Sequence, residues 1–248
     1  MARADGMVLV TGASGSIGRA TVRALDARGR DVVTVDRRPL PEPESSIVVK
    51  HLEVDLADDD AAGAIATIAP GRDLRHAIAV AGGGDAEELA LADPATEELR
   101  IFDRVVRNNL RTAFVTIRHV VPLLRASSGD RSITLVGSIN AFGGYGAPGY
   151  SAAKAGLAGL ANALTAPLGA DGIRINCLVP GTVDTANLRD LAASRGVQLD
   201  LGSLAAKAPL GRVLDATDVA AALVAMSLDM RGMTGASVVL DNGQTHIR

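Results

Sequence analysis

Tryptophan is missing from this sequence, aromatic residues amount to 2% of its 248, and lysine plus arginine (25) are outnumbered by aspartate plus glutamate (28). Proteins that hold nucleic acid need a basic surplus for the phosphates and flat rings for the bases, so no nucleic-acid partner is expected. A single cysteine excludes an internal disulfide and agrees with a reducing compartment. That residue, Cys177, lies inside the apolar run IRINCLVPG and reads as a buried structural thiol rather than a nucleophile. His51, His76, His119 and His246 stand far apart, none at ligand spacing with cysteine or a carboxylate, and no metal is expected. Although 48% of the residues are hydrophobic, charges interrupt every run short of the roughly 20 residues a membrane span needs. MARADGMVLVTG runs into a strand with no charged-then-apolar leader, and no Ser/Pro-rich linker divides the chain. The expectation is one α/β domain over residues 1–248, cytoplasmic and without membrane contact.

What the chain does have is SINAFGGYGAPGYSAAK, residues Ser138–Lys154. Before it, RSITLV reads as a buried strand that ends at Gly137 and delivers Ser138 to its carboxyl end. After it, Pro148 opens an alanine-rich helix. Tyr150 and Lys154 are four apart on that helix and share a face. An unperturbed phenol titrates at about 10, and a cation held close lowers that value. Lys154 supplies a cation, Ser138 a hydroxyl that hydrogen-bonds a substrate oxygen, and Tyr150 a proton to give to that oxygen or a base to take one. The chemistry suits a carbonyl–alcohol pair. A Tyr-x-x-x-Lys spacing alone also describes a half-buried tyrosine beside a solvated lysine.

The rest of the chain supplies the context. MVLVTGASGSIGRATVRALDARG is a strand (7–11), a glycine turn and a helix ending near Gly29. Gly12, Gly15 and Gly18 let backbone approach a pyrophosphate at a helix start. DVVTVD ends at Asp36, eighteen residues after Gly18, near the distance at which an acid meets an adenosine ribose. IVVKHLEV is a third strand; Asp55 and Leu56 after it border an adenine, or Asp55 is a solvated strand-end acid. A helix around 58–68 precedes a fourth strand in LRHAIAVAGGG, whose glycines mark a close backbone approach. The alternation predicts a doubly wound parallel sheet of about seven strands with helices on both faces and a ligand crevice at the strands' carboxyl ends.

Residues 97–126 read as one long helix. Phe102, Val105, Val106, Ala113, Ile117, Val120 and Leu124 fall on one side, and Arg100, Arg104, Arg107, Arg111 and Arg118 on the other. Asn109 projects into the apolar side, as a satisfied core amide or as part of the reaction centre's hydrogen bonding. The arginine stripe is a solvated or subunit-contacting face, or a dock for an acidic carrier or phosphorylated substrate. IRINCLVPG is a sixth strand broken at Pro180–Gly181. Residues 182–211 suit a mobile substrate lid, or an ordinary surface excursion with a short helix. A helix over 216–228, capped by Thr217 or Asp215, and the strand ASVVLD close the sheet.

Taken together, TGASGSIG, Asp36, VAGG, Asn109, Ser138, YSAAK, PGTVDT and the closing PLGR, TDVA, TG and LDNG resemble the short-chain dehydrogenase/reductases, of the compact single-domain type, over essentially the whole length. The resemblance implies a Rossmann-type fold with Tyr150 as acid/base and Lys154 lowering its pKa while holding the nicotinamide ribose. It implies that Ser138 orients the substrate oxygen and that Asn109 anchors a water in a proton relay behind Lys154. Cofactor contacts are expected at Gly12, Ser14, Gly15, Ser16, Ile17, Gly18, Asp36, Arg37, Asp55, Leu56, Ala81, Gly82, Gly83, Tyr150, Lys154, Pro180, Gly181, Val183 and Thr185. Asp36 favours NAD(H) over NADP(H), with Arg37–Arg38 as the complication. In the family, helices matching the long one and the Tyr150 one meet at subunit interfaces, and AAKAGLAGLANA permits close packing, so a homotetramer or homodimer is expected. The sequence departs at Ser16, where compact members carry glycine or alanine; at Ala79-Val80, which replaces an amide pair; and in a Ser138–Tyr150 interval one residue short. The expected activity is hydride transfer between NAD(H) and a secondary alcohol or ketone. Alternatives are a reductase of carrier-bound 3-oxoacyl groups and a non-catalytic nucleotide sensor. The intact Ser138, Tyr150, Lys154 and Asn109 set argues against the sensor.

Overall fold

Runs rich in Val, Ile and Thr alternate with helices, and each helix carries the chain back so that the next strand starts from the same side, which makes the sheet parallel. A computed structural model describes residues 6–58, 62–68, 73–90, 98–143 and 147–246. The strands are β1 (Met7–Thr11), β2 (Asp31–Asp36), β3 (Lys50–Glu53), β4 (Leu74–Ala79), β5 (Arg131–Val136), β6 (Ile173–Pro180) and β7 (Ser237–Leu240). They form one sheet in the order β3-β2-β1-β4-β5-β6-β7, with every neighbouring pair parallel. The doubly wound fold expected from the sequence is therefore present. β1 pairs with β2 on one side and β4 on the other, so the strand order reverses there and a crevice opens beyond the carboxyl ends of β1 and β4.

The helices are α1 (Ser16–Ala27), α2 (Ala62–Ala66), α3 (Ala86–Ala90), α4 (Leu99–Val106), α5 (Thr112–Arg125), α6 (Pro148–Ala170), α7 (Ala186–Ser194), α8 (Leu201–Ala206) and α9 (Ala216–Leu228). β1 shows the two-residue period that splits the core. Met7 and Leu9 pack with Ile117, Val120, Leu124 and Leu157 under α5 and α6. Val8 and Val10 pack with Val22, Leu25, Val219 and Leu223 under α1 and α9. Burying each such side chain contributes about 1.5–3 kcal/mol. Asp215, one of the two candidate caps, starts α9 by accepting from Thr217 N and Asp218 N in a reciprocal capping box.

The single helix expected over 97–126 is corrected by the structure; residue 97 lies outside the described residues. α4 and α5 are joined by one π-helical turn, Arg107–Arg111. The wider turn rotates the following residues out of the phase of a straight helix. Buried positions are Ile101, Val105 and Asn109 before and within it and Thr112, Ala113, Thr116 and Ile117 after it, so straight phasing missed Ile101, Thr112 and Thr116. The arginine stripe is also largely bound by its own chain. Arg104 forks onto both oxygens of Asp85 at 2.9 Å, Arg100 pairs with Glu87 and Glu98, and Arg111 donates to the Ala57 carbonyl. Arg107 and Arg118 remain exposed.

At the amino end of the sheet a buried polar network links β4, β5, β6 and α9. Ser132 Oγ donates to the Ser227 carbonyl at 3.0 Å and lies 2.9 Å from His76 Nδ1. Arg174 directs its guanidinium at both oxygens of Asp130 and at the carbonyls of Met226, Ser227 and Met233. Burial lowers the His76 pKa from 6.5 to about 4; Asp130 opposes this, while Arg174, Arg30 and Arg75 reinforce it. Between those two values the unfolded chain carries a proton that folded His76 lacks, so stability falls as pH drops from 6.5 to 4. The loss is about 1.4 kcal/mol per pH unit within that window, on the order of 3 kcal/mol in all. Urea unfolding at several pH values across the window is expected to show a shallower decline for His76→Asn than for the wild type. Equal slopes would remove His76 as the cause.

Candidate active site

Five strand ends deliver the side chains singled out in the sequence to the crevice. After β1, Gly12 has φ of +65°, and a Cβ there would stand 2.7 Å from Ala81 N; a Cβ on Gly18 would run into the Gly12 carbonyl. These two glycines are demanded by the chain's own packing. Gly15 differs: it is the N-cap of α1, its added Cβ would meet only the Gly12 carbonyl at 3.4 Å, and no side chain caps the helix. The first-turn N–H groups, with the positive end of the helix dipole, thus present bare backbone to an anion. Ile17 packs inward on the α1/α9 core.

Asp36, at the end of β2, is 8% exposed. Its Oδ2 accepts from Ser14 N at 2.9 Å and its Oδ1 from Arg38 N at 3.0 Å, which leaves each oxygen further acceptor capacity. Ser14 Oγ meanwhile donates to the carbonyls of Arg38 and Pro39, so the glycine turn and the β2 end are laced together. Arg38 Nε lies 3.7 Å from Asp36, while Arg37 points into solvent. Of the Arg37–Arg38 pair, the basic neighbour of the acid is therefore Arg38. Asp55 turns its carboxylate onto Ala57 N at 2.9 Å, and Leu56 is buried in the core.

At the end of β4, Thr11 Oγ1 accepts from Ala81 N at 3.3 Å, a brace that stands where Ala79-Val80 supply no amide. Gly82 (φ +140°) and Gly83 follow. Asn109 Oδ1 accepts from Gly83 N at 2.9 Å, and its Nδ2 donates to the carbonyls of Gly83 and Val105 at 3.0 Å. Its amide is satisfied and clamps the glycine loop, and the π-helical turn carries it there.

Ser138 follows β5, and its Oγ caps a short turn by accepting from Asn140 N at 3.2 Å. Pro148 starts α6 as expected. Tyr150 lies near that start, and Lys154 one turn on is 4% exposed, its Nζ donating to the Val136 carbonyl at 2.9 Å and standing 5.6 Å from the Tyr150 ring centre. Burial lowers the Lys154 pKa to about 8, against a pull upward from Cys177. Cys177 is fully buried and pushed up to about 11 by that burial, as befits an inert thiol. Burial also raises the Tyr150 pKa; a hydrogen bond with Ser138 works against the rise and Glu88 adds to it. Lys154 is not among the groups that set this direction.

One residue of the site was not found in the sequence. Glu88, in α3, is fully buried and accepts from Tyr150 N at 3.0 Å. α6 begins after Ala147, which offers no capping oxygen, so an acceptor has to come from elsewhere in the fold. The uncapped start GAPGY is the signal that such a partner was needed.

Beyond β6, Gly181 N bonds the Leu240 carbonyl, Val183 bridges to Leu214, and Thr185 caps α7 by accepting from Leu188 N at 3.2 Å. The Ser16 hydroxyl accepts from Ala186 N, also at 3.2 Å, so this departure ties the glycine turn to the first residue of α7. α7 contributes no buried residue and approaches Gly83 and Gly84 through Asn187 and Leu191. Tyr145 and residues 91–93 lie outside the described residues. Among the described residues there is no group of three His, Cys, Asp or Glu side chains that could hold a metal, and no helix long and apolar enough to cross a membrane.

A family model described as enoyl-(acyl carrier protein) reductase matches residues 12–245. The chain is 28% identical over 254 residues to a cis-4-hydroxycyclohexanecarboxylate dehydrogenase of Sinomonas cyclohexanicum, covering 98% of each. It is 30% identical over 260 residues to an L-rhamnose 1-dehydrogenase (NAD(P)(+)) of Azotobacter vinelandii, covering 96% of each. Among solved structures, an oxidoreductase of Burkholderia thailandensis superimposes with a TM-score of 0.84 at 30% identity, over 97% of this chain and 93% of that one.

Proposed function

Because the chain belongs to the short-chain dehydrogenase/reductase family, we propose that it oxidises a secondary alcohol or reduces the corresponding ketone with NAD(H), and that Tyr150 moves the proton. The observation that carries this reading is the half-buried Tyr150 phenol beside Ser138, with Lys154 one turn away, at the same end of the sheet as the uncapped α1 and Asp36. A dinucleotide fits those features: its pyrophosphate at the bare backbone of Gly15, its ribose hydroxyls at Asp36. Bound there, it supplies the hydride chemistry. Ser138 orients the substrate oxygen. Tyr150 as the phenol gives that oxygen a proton in the reducing direction, and as the phenolate accepts one in the other. Lys154 holds its ammonium at the base of the site, and Asn109 fixes Gly83 so that the β4 loop stays clear of the cofactor.

Residues 182–211 act as the lid of this single domain, latched to the glycine turn through Ser16 and Ala186. A carrier-bound 3-oxoacyl substrate is the second reading, favoured by the description of the matching family model. Against it, Arg100, Arg104 and Arg111 already serve the chain's own acceptors and do not form an open basic dock. Spectrophotometry of NADH with ketones and of NAD with alcohols, sugars and hydroxycyclohexane carboxylates among them, is expected to show turnover with at least one. Tight cofactor binding with no turnover across the panel would favour the nucleotide sensor instead.

The chain is further proposed to assemble as a homodimer or homotetramer. Phe114 is 48% exposed and, with Val106, Leu110, Leu160 and the flat backbone at Gly156 and Gly159, lines an apolar groove of about 520 Å³ between α6 and the segment from the end of α4 to the start of α5. Light scattering at micromolar concentration should give a dimeric or tetrameric mass for the wild type and a smaller one for Phe114→Asp. A monomeric wild type would refute the assembly.

A further inference from the structure

A second concave site lies at the opposite end of the sheet from Tyr150. It is a cavity of about 220 Å³ lined by Arg30, before β2; Arg75 and His76, in β4; Gly129 and Asp130, before β5; and Leu228 and Arg231, at the end of α9. Its volume far exceeds the roughly 10–15 Å³ that one water needs. Its charge is one-sided. Asp130, the acid in the lining, has both oxygens engaged at 3.0 Å by Arg174, and Arg30, Arg75 and Arg231 bring three guanidinium groups to the lining. Arg75 also pairs with Asp73 outside the cavity, and Arg231 is exposed.

His76 adds a direction to this charge. The hydrogen on Ser132 Oγ is committed to the Ser227 carbonyl, so in the contact between Ser132 and His76 the imidazole Nδ1 has to be the donor. The tautomer is then set: Nε2 carries a lone pair and, among the described residues, has no hydrogen-bond partner, on a side chain that is 4% exposed and lines the cavity. Burial keeps the ring neutral; Arg174, Arg30 and Arg75 act with it, and Asp130 alone favours the proton. A ligand for this place needs negative oxygens for the arginines and one hydroxyl hydrogen for Nε2.

We propose that this cavity binds a small oxyanion that retains a hydroxyl hydrogen at neutral pH, of which inorganic phosphate is the simplest. The site is independent of the reaction at Tyr150. Sulfate has the same shape and charge but no hydrogen to donate, and a phosphate monoester is largely a bare dianion above its second pKa of about 6. The three anions therefore separate simple charge attraction from recognition by Nε2.

The test is calorimetric titration at pH 7 and constant ionic strength, with NADH present so that the turn after β1 does not compete. The wild type is expected to bind phosphate at one site about tenfold or more tightly than sulfate or methyl phosphate. Arg231→Ala, a surface change, should weaken phosphate binding about tenfold, the size expected for one charge-assisted hydrogen bond. His76→Asn, if it folds, should bring phosphate and sulfate to parity. Absence of phosphate binding, phosphate binding unaltered in Arg231→Ala, or equal affinity for phosphate and sulfate in the wild type would each overturn the proposal.

Discussion

Tyr150→Phe is expected to lose about 10³-fold in kcat, within the range that a positioned acid/base supplies, while the affinity for dinucleotide stays within about twofold of wild type. The substitution deletes one oxygen and leaves the ring that packs at the start of α6. Glu88 accepts from the Tyr150 backbone N–H, so the anchor of that helix start does not depend on the phenol. Ser138 keeps its bond from Asn140 N. What is removed is the phenol proton that a substrate oxygen receives. Steady-state turnover together with cofactor fluorescence titration reads both quantities. A mutant retaining most of the wild-type rate would show that another group moves the proton.

Cofactor choice carries the second large effect. The Asp36 carboxylate is held by Ser14 N and Arg38 N and cannot swing away from an adenosine 2′ position. A 2′-phosphate at about 4 Å from it meets a like charge worth about 4 kcal/mol at an effective dielectric of about 20, close to 10³-fold. Arg38 stands 3.7 Å from the same carboxylate, but its side chain is 62% exposed, so screening by water limits what it returns. Wild-type kcat/KM is therefore expected to favour NAD(H) by about 10²–10³. Asp36→Ala also strands the N–H groups of Ser14 and Arg38, and its NAD(H) use should fall as well; the decisive reading is the NADP(H)/NAD(H) ratio, which should rise at least tenfold. A wild-type preference for NADP(H), or an unmoved ratio in the mutant, would remove Asp36 as the selector.

Local pattern alone determined a large part of this protein. Strand and helix identities followed from residue periodicity and from breakers that act within a few positions: Gly12 after β1, Pro148 at the first turn of α6, Gly181 after β6. Tyr150 and Lys154 share a helix face because four residues make one turn, whatever the remainder of the fold does. Tertiary structure decided what depends on residues distant in sequence. The π-helical turn at 107–111 cannot be read from a periodicity that presumes 3.6 residues per turn, and it is what sends Asn109 to Gly83 and buries Thr112 and Thr116. Glu88 reaches α6 across 62 residues, Ser16 meets Ala186 across 170, and Arg38 rather than Arg37 leans on Asp36 because Arg38's own backbone N–H bonds that carboxylate. The pKa of Tyr150 belongs to the same class: motif spacing brings a cation near the phenol and so argues for a lowered value, whereas the direction is set by burial, a sum over every neighbour that excludes water, and no local stretch of sequence contains that sum.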